Sequence, residues 1–171
     1  MEQVYLMPEH DRPYIAGPMR GHPKFNFDAF YKLEAQLNAI GVVCFNPARR
    51  DEEVYQNLRA WPGFESGDVD ACPEFNLATS LQWDLAMVAG PENATCLVAL
   101  PGWEKSQGVA IEMQVAAWCQ KPVLYAHTTT SGLYNIQTRP MPNTTPLTSS
   151  VQGQLSFDDM LNSLHQLGGG R

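Results

Sequence analysis

The chain has 171 residues, 44% of them hydrophobic and 17% charged, which is typical of a single globular domain and not of a disordered segment. Its formal net charge of -7 argues against a nucleic acid as partner, because phosphate backbones are bound by basic surfaces. A small phosphorylated molecule is compatible with this charge, since it needs only a local anion site.

No segment has the pattern of a targeting or membrane-spanning sequence. Residues 1–5 lack a basic stretch followed by a long apolar core, and no apolar run is long enough to cross a bilayer. We therefore expect a cytoplasmic protein that does not contact a membrane. The cysteines include no C-x-x-C pair, so we expect buried free thiols and neither disulfides nor a metal site. They are Cys44, Cys72, Cys96 and Cys119.

The amino-terminal part of the chain predicts a strand, a helix and a second strand. Pro13–Ala16 is short and apolar, as in a buried strand, and a loop rich in glycine and proline follows it over 17–23. Apolar residues then recur at helical spacing over about 26–40, and Gly41 is suited to end that helix. Residues 42–45 predict the second strand.

Residues 48–75 predict a long irregular excursion that contains one short helix. Long irregular segments in compact domains are often lids or binding loops. The excursion contains Trp61 and Phe64, for which two roles are open. They could be a satellite of the hydrophobic core, or they could stack on the base of a ligand.

The second half of the chain alternates between helix and strand. The pattern predicts helices over about 77–88 and 107–119, and strands over 95–100 and 122–126. This alternation indicates an α/β fold, with an open Rossmann-like or flavodoxin-like parallel sheet of four to five strands and helices on both faces.

We place a domain boundary after residue 127, where the composition becomes polar and rich in proline. Residues 1–127 are then the main domain, and residues 128–171 form a carboxyl-terminal extension. A last amphipathic helix is predicted over 157–167, with Ser156 as its N-cap.

Two loops of the predicted sheet are candidates for ligand binding, because open α/β sheets bind ligands at the carboxyl ends of their strands. The first loop, 17–21, combines backbone N–H groups with Arg20 and suits an anion. The second loop leads into a helix, where Ser106 is the expected N-cap and Gly108 allows close approach to the backbone.

Two carboxylates lie within apolar helical sequence near these loops. They are Glu112, in the helix after the second loop, and Asp84, in the preceding helix. A charge in such surroundings costs free energy unless something there requires it. Two acids, an anion site and a hydroxyl suit cleavage of a glycosidic bond, in which one carboxylate attacks the anomeric carbon and another group assists the departing base.

Each of these residues also has an ordinary explanation. Glu112 could be an acid favoured by the helix dipole, Asp84 a solvated helix residue and Ser106 only an N-cap. Arg20 could be only a surface cation, and Tyr14 only a core residue. Their combination in this chain order favours a functional site.

At these residues the chain resembles the nucleoside 2-deoxyribosyltransferase-like superfamily, over roughly residues 14–125. The resemblance is carried by the motifs Tyr14-Ile15-Ala16-Gly17-Pro18-Met19-Arg20-Gly21 and Ser106-x-Gly108-x-x-x-Glu112. Both motifs look like a branch that is common in bacteria and their phages. They are also similar to the 2′-deoxynucleoside 5′-phosphate N-hydrolases, which have a Tyr-x-x-Gly-x-x-Arg-Gly loop and a Ser-x-Gly-x-x-x-Glu segment.

The resemblance implies a role for each matching residue. Glu112 corresponds to the nucleophile, Asp84 to the acid that assists the leaving base, and Tyr14 to a residue that supports the nucleophile or the sugar. The phosphate site corresponds to Gly17, Met19, Arg20, Gly21 and Ser106. No cofactor or metal is implied.

Position 106 distinguishes two branches of the superfamily. The transferases that act on free nucleosides carry an aspartate there, whereas this chain has Ser106. A carboxylate repels a phosphate dianion, while a hydroxyl can donate a hydrogen bond to it. We therefore expect hydrolysis of the base–sugar bond of a nucleoside or deoxynucleoside 5′-monophosphate.

Three other functions stay open at this point. They are a base-exchanging transferase, a non-catalytic nucleotide-binding or sensing module, and a purely structural α/β domain. The resemblance also implies a homodimer or higher homo-oligomer, to which residues around Tyr134, Asn135 and Arg139 could contribute across the interface.

Overall fold

The structure is a computed structural model that describes residues 7–8, 10–72 and 74–138. Its helices and strands are, in chain order, β1 (Pro13–Ala16), α1 (Phe27–Ala39), α2 (Pro47–Val54), α3 (Leu77–Ala89), β2 (Cys96–Ala99), α4 (Gln107–Trp118), β3 (Val123–Thr128) and β4 (Tyr134–Gln137). Within the described ranges, no helix has both the length and the apolar character that a membrane crossing requires.

The four strands form one mixed sheet in the order β1-β2-β3-β4. The first three strands are parallel, with Tyr14 opposite Leu97 and Leu97 opposite Val123. The last strand, β4, is antiparallel to β3. The sequence-based prediction of an open α/β sheet is confirmed, and the antiparallel strand was not foreseen in it.

The predicted strand over 42–45 is reduced to one parallel bridge between Tyr14 and Phe45. Ile15 donates from its amide to the Phe45 carbonyl at 3.0 Å, and the Phe45 amide donates to the Pro13 carbonyl at 2.9 Å. The pairing stops there because Asn46 caps α2 at the next residue. The bridge still places this segment beside β1, on the side away from β2.

This arrangement makes the chain reverse its direction of winding across the sheet. From β1 it moves outward through α1 to Phe45, and it then returns through α2 and α3 to β2 on the other side of β1. The segments that follow β1 and β2 therefore lead to helices on opposite faces of the sheet, and such a switch point leaves a crevice in which α/β proteins bind ligands.

Helices cover both faces of the sheet, because successive strand residues point to opposite sides. On one face, Ile15 and Val98 pack with apolar residues of α1 such as Phe30. On the other face, Tyr14 and Leu97 pack with apolar residues of α3 and α4. The second face is the one that bears on function, since Tyr14 carries a hydroxyl into it.

The predicted excursion is more ordered than its sequence indicates. It begins with α2, whose first turn is capped by the Asn46 side chain, and continues through short 3-10 turns at Leu58–Ala60 and Val69–Ala71. The boundary predicted after residue 127 falls inside β3, and β4 continues the same sheet. The helix predicted over 157–167 lies outside the described residues, as does Arg139.

Candidate active site

A cavity of about 480 Å³ opens beyond the carboxyl ends of β1 and β2, between the segments that follow these strands. Its walls are the loops after these strands, parts of α2, α3 and α4, and residues of the excursion. Its ionisable lining residues are Arg20, His22, Asp51, Asp84, Lys105 and Glu112. The predicted nucleophile, acid and anion-binding arginine therefore share one cavity.

Glu112 lies on the floor of this cavity and is bonded to Tyr14. The Tyr14 hydroxyl donates a hydrogen bond of 2.8 Å to Glu112 Oε1, and the two residues are 1% and 7% exposed. The alternation of β1 directs Tyr14 toward α4, and Glu112 lies one helical turn after Gly108. The structure thus joins two residues that are 98 positions apart in the sequence.

Asp84 lies beside this pair, on α3. The Tyr14 hydroxyl is close enough to lower the pKa of Asp84 by hydrogen bonding, and the Tyr14 ring packs against that of Trp83. On its other side, Trp83 faces the guanidinium of Arg50, whose Cζ lies 5.6 Å from the ring centroid. Arg50 supplies the nearest positive charge that acts on Asp84.

Burial raises the pKa of both carboxyl groups. It raises the pKa of Glu112 to about 8, with a further increase from the charge of Asp84 and an opposing effect of the Tyr14 hydrogen bond. It raises the pKa of Asp84 to about 6, against the effects of Tyr14 and Arg50. Near neutral pH the two groups therefore hold one proton between them. The higher pKa places this proton mainly on Glu112, whereas glycosidic cleavage uses the other arrangement, with Glu112 as the carboxylate and Asp84 as the acid.

Tyr14 stays a neutral hydrogen-bond donor in this position. Burial and the two neighbouring carboxylates raise its pKa well above the usual value, because ionisation would place a third negative charge beside them. Its hydroxyl can therefore orient Glu112 at any physiological pH.

The loop after β1 forms one flank of the cavity. At Gly17 there is no room for a side chain, since a Cβ would lie 2.9 Å from Leu100 Cδ1 and 3.0 Å from Phe30 Cζ. The next residues, Met19 and Arg20, line the cavity. Among the described residues, no group accepts a hydrogen bond from the amide of either one. This flank offers two N–H donors and an exposed guanidinium to an anion.

The start of α4 completes that flank. Ser106 Oγ accepts a hydrogen bond from the Val109 amide at 3.3 Å, so Ser106 is the N-cap and also lines the cavity. The amides of Gln107 and Gly108 have no partner within the helix. Lys105, which the sequence analysis did not single out, adds a second cation. A Cβ on Gly108 would meet only Ser106 Oγ, at 3.8 Å, so packing does not require glycine there.

Three candidate binding residues, Gly21, Trp61 and Phe64, are absent from the cavity lining, and of the two roles left open for the aromatic pair their packing favours a place in or beside the core. Gly21 does not line the cavity, and its amide donates to the Gly67 carbonyl at 2.8 Å, so it is not free for a phosphate. Phe64 is 2% exposed and packs edge-on against Phe27, at 5.6 Å between ring centroids, which leaves no face for a base. Trp61 packs against Tyr55 away from the cavity lining.

Other apolar residues form the wall on which a base could lie. Phe25, Phe27 and Phe75 line the cavity, together with Leu58 and Val69. Phe25 reaches it through three successive residues with left-handed backbone, at φ values of 53°, 49° and 59° for positions 24–26. Such a run is unfavourable for residues other than glycine, so the fold holds this ring in place at a cost.

Asp51 and Ser80 are polar lining residues that the sequence analysis missed. Asp51 lies in a charged run, 49–53, which was interpreted as part of an irregular segment. The signal that could have found it is the helix start at Asn46-Pro47, because α2 then buries Pro47, Ala48 and Asp51 on one face.

The structure gives no support for a metal centre within the residues it describes, where no cluster of three metal-ligating side chains occurs. All four cysteines are free, and two of them, Cys72 and Cys96, are buried. The expected burial holds for these two thiols, whereas Cys44 is half-buried and Cys119 is exposed.

Comparison with known proteins places these residues within one family. No curated protein matches the chain, and no solved structure matches it. A family model described as a domain of unknown function, DUF4406, matches residues 11–125. This range includes β1, β2, the two cavity loops and every polar lining residue discussed above. The chain belongs to the DUF4406 family.

Proposed function

We propose that this protein is an N-glycosidase that hydrolyses the base–sugar bond of a nucleoside or deoxynucleoside 5′-monophosphate. The observation that carries the proposal is the buried Tyr14–Glu112 pair, with Asp84 beside it, one helical turn from an anion-binding helix start. These groups lie in the order in which a nucleotide presents its phosphate, its sugar and its base.

The first chemical step is attack of the ionised Glu112 carboxylate on the anomeric carbon. A carbon–oxygen bond forms while the carbon–nitrogen bond breaks, and the electron pair of the broken bond goes to the base. Asp84, in its protonated form, gives its proton to the base and becomes a carboxylate. The product of this step is a sugar ester of Glu112.

The second step returns the enzyme to its starting state. Asp84, now ionised, accepts a proton from a water molecule, whose oxygen attacks the anomeric carbon and displaces the Glu112 carboxylate. Two displacements at one carbon give net retention of configuration. The Tyr14 hydroxyl stabilises the carboxylate of Glu112 at the beginning and the end of this cycle.

Binding of the phosphate places the sugar over Glu112. Arg20, Lys105 and the Ser106 hydroxyl supply charge and donors on the same flank as the free amides at the start of α4. These contacts are remote from the reacting carbon, so they raise the effective concentration of the nucleophile without taking part in the bond change.

The test is release of free base from a panel of nucleoside and deoxynucleoside 5′-monophosphates, measured by chromatography with the full chain. We expect base and sugar phosphate in equal amounts, and no product from Glu112→Gln. Base release that survives in Glu112→Gln contradicts the mechanism. Tight binding without any base release would instead identify a non-catalytic nucleotide-binding module.

A base-exchanging transferase is the second candidate, because the same residues would form the same sugar ester. It differs only in whether water or a second base resolves that ester. The wall formed by Phe25, Phe27 and Phe75 could hold a second base. Adding a free base to the reaction distinguishes the two activities, since a transferase then yields a new nucleotide and a hydrolase does not.

We also propose that the protein is a cytoplasmic homodimer or higher homo-oligomer. Four free cysteines are typical of a reducing compartment such as the cytoplasm.

The surface of α3 and α4 supports the assembly. Apart from Asp84 and Glu112, these helices contain no charged residue, although Trp118 is 72% exposed and Ile111 is 37% exposed. Surfaces of this kind are typical of subunit contacts. Light scattering tests the assembly, and a strict monomer contradicts it.

A further inference from the structure

A third buried carboxyl group lies in the cavity, and the proposed mechanism does not use it. Asp51 of α2 is 8% exposed and lines the cavity beside Ser80 of α3. Its Oδ1 accepts a hydrogen bond of 3.4 Å from Ser80 Oγ, which is at the long limit for such a bond. Among the described residues, no other group donates to this carboxyl group.

The contacts place Asp51 at the far end of a series of groups. Gly108 is one helical turn from Glu112, and Tyr14 links Glu112 to Asp84. Asp84 is in turn four residues, or one helical turn, from Ser80, which donates to Asp51. Asp51 responds to the charge of Asp84 and not to that of Glu112. The series therefore runs from the anion-binding flank, past the two catalytic acids, to Asp51.

A nucleotide bound with its phosphate at Arg20 and its anomeric carbon at Glu112 points its base along this series. The proton donor Asp84 must face the base nitrogen that leaves, and Asp51 lies beyond it. Apolar side chains of Leu58, Val69 and Phe75 also line the cavity, and Phe75 packs against Tyr55, whose hydroxyl lies 3.3 Å from Ser80 Oγ. These side chains can contact the faces of a planar ring. A carboxyl group beside such a ring can form hydrogen bonds with the polar groups on the edge of the ring.

We infer that Asp51, held by Ser80, selects bases that carry an exocyclic amino group, such as cytosine and adenine, over bases with a carbonyl oxygen at that position. The inference rests on the proposed function, because it uses the same orientation of the nucleotide. Asp51 is then a specificity-determining residue, because it contacts the part of the base that does not react.

The chemistry of the carboxyl group supports this choice. Its oxygens accept hydrogen bonds from an amino group, and they oppose a carbonyl oxygen, which is also an acceptor. The two other carboxyl groups of the cavity add negative potential, which favours amino hydrogens over carbonyl oxygens. Burial and the charge of Asp84 raise the pKa of Asp51 to about 7, while Arg50 and Ser80 act in the opposite direction. The ionised carboxyl group has only acceptor oxygens, whereas the protonated form also has an O–H that can donate to a carbonyl oxygen, so the selection belongs to the ionised form.

Two pairs of substrates test the inference, because each pair differs only by an amino group against a carbonyl oxygen. They are the deoxynucleoside 5′-monophosphates of cytosine and uracil, and those of adenine and hypoxanthine. For the wild-type protein we expect kcat/KM to favour the amino member of each pair by roughly 10- to 100-fold. Equal rates, or a preference for the carbonyl member, would overturn the inference.

The matched variant is Asp51→Asn, which keeps the shape of the side chain and replaces one acceptor by an amide donor. We expect this variant to lower the amino-to-carbonyl ratio at least about tenfold, because its NH₂ group can donate to a carbonyl oxygen. Ser80→Ala, which removes the group that holds Asp51, should lower the ratio by a smaller factor. An unchanged ratio in both variants contradicts the role of Asp51.

Binding measurements separate this inference from the proposed function. If no base is released from any of the four substrates, the proposed hydrolysis fails, and calorimetry of the same four molecules with wild-type protein and Asp51→Asn still measures the preference. An amino preference that Asp51→Asn removes supports the role of Asp51. Absence of such a preference, or absence of binding, rejects it.

Discussion

Two buried glutamates, on helices that cover opposite faces of the sheet, have very different partners. Glu34 of α1 is 6% exposed, and both of its oxygens accept from Arg49, at 2.8 Å from Nε and 2.6 Å from Nη2. Glu112 of α4 is 7% exposed, and among the described residues its one hydrogen-bond donor is the hydroxyl of Tyr14. Its nearest ionisable neighbour besides that tyrosine is another acid, Asp84.

The comparison shows how a structural acid differs from a site acid. A buried carboxylate that is paired with arginine has its charge balanced and its oxygens satisfied. A buried carboxylate beside a second acid has neither, and its charged form is disfavoured by several kcal/mol in such surroundings. Glu112 lacks a cationic partner of this kind, and it lies at the floor of an open cavity that a ligand can enter. Variants of both glutamates and of the cavity loops test whether the unbalanced charge of Glu112 serves catalysis.

The largest effect is expected for Glu112→Gln. Removing the nucleophile should lower kcat for base release by at least about 10⁴-fold, because the neutral glutamine amide does not form the sugar ester. The glutamine carbonyl can still accept from Tyr14, so the fold should be kept. Chromatographic rate measurements check the first statement, and urea unfolding checks the second. A variant that is inactive because it is unfolded would not support the assignment.

The next effect is expected for Arg20→Met. Loss of one charge-assisted contact to phosphate should reduce kcat/KM for a 5′-monophosphate by roughly 100-fold and leave that for the matching nucleoside within about twofold. Lys24→Met is the control, because Lys24 is an exposed cation in the 3-10 turn just after this loop and does not line the cavity. Equal losses on nucleotide and nucleoside would exclude a phosphate role for Arg20.

The pH dependence of kcat/KM follows from the shared proton of Glu112 and Asp84. The active form has one of the two groups ionised and the other protonated, so the rate should rise through about pH 6 and fall through about pH 8. One pH unit below pH 6 or above pH 8, kcat/KM should be about tenfold lower than at its maximum. In Asp84→Asn the like charge is gone, so the pKa of Glu112 falls and the alkaline limb should disappear. A profile that is flat from pH 5 to pH 9 contradicts the pair.

A smaller effect is expected when a methyl group is added at the two cavity glycines. Gly108→Ala should raise the free energy of unfolding by about 0.5 kcal/mol, because a Cβ fits there and alanine favours helix, and should raise KM for the nucleotide roughly fivefold by occupying the phosphate flank. Gly17→Ala should destabilise the fold instead, since its Cβ would contact Leu100 and Phe30. Thermal unfolding and KM measured on both variants distinguish the two roles, and the same response at both positions would refute the distinction.

Much of the fold and site could be predicted from the sequence because both follow from local patterns. Short apolar runs located β1, β2 and β3, and period-3.6 apolar patterns located α1, α3 and α4, within one or two residues. Once the strands are parallel, the loops that follow them must meet at one edge of the sheet, which brings Arg20, Ser106 and Glu112 together. The place of Tyr14 beside Glu112 was implied only by the resemblance, and the hydrogen bond between the two is a finding of the structure.

The remaining features depend on contacts that a sequence does not display. Asp51 was hidden in a charged run, because only the tertiary structure shows which face of a short helix is buried. Phe64 and Phe75 are both aromatic residues of the excursion, yet the first packs in the core and the second lines the cavity. The strand β4 does alternate apolar and polar residues, with Tyr134 and Ile136 packed against the core. It has only four residues and directly follows a polar stretch, so its short pattern was not distinguished from that stretch.

The smallest effect on activity, and the clearest contrast in stability, is expected for Glu34→Gln. This variant loses a bidentate ion pair to Arg49, whose side chain is 52% exposed, so the free energy of unfolding should fall by about 1 kcal/mol with kcat/KM unchanged. Urea unfolding at several pH values compares the free energy of unfolding of Glu34→Gln with that of Glu112→Gln. The pKa of Glu112 is raised from 4.5 to about 8 in the folded protein, so the stability that its neutral form contributes is present at low pH and is lost as the pH rises to about 8. Glu112→Gln should therefore reduce the loss of stability between pH 5 and pH 8, while Glu34→Gln should leave that loss in place. If both variants changed it alike, the two buried acids would be equivalent, and the case for a poised carboxylate at position 112 would fail.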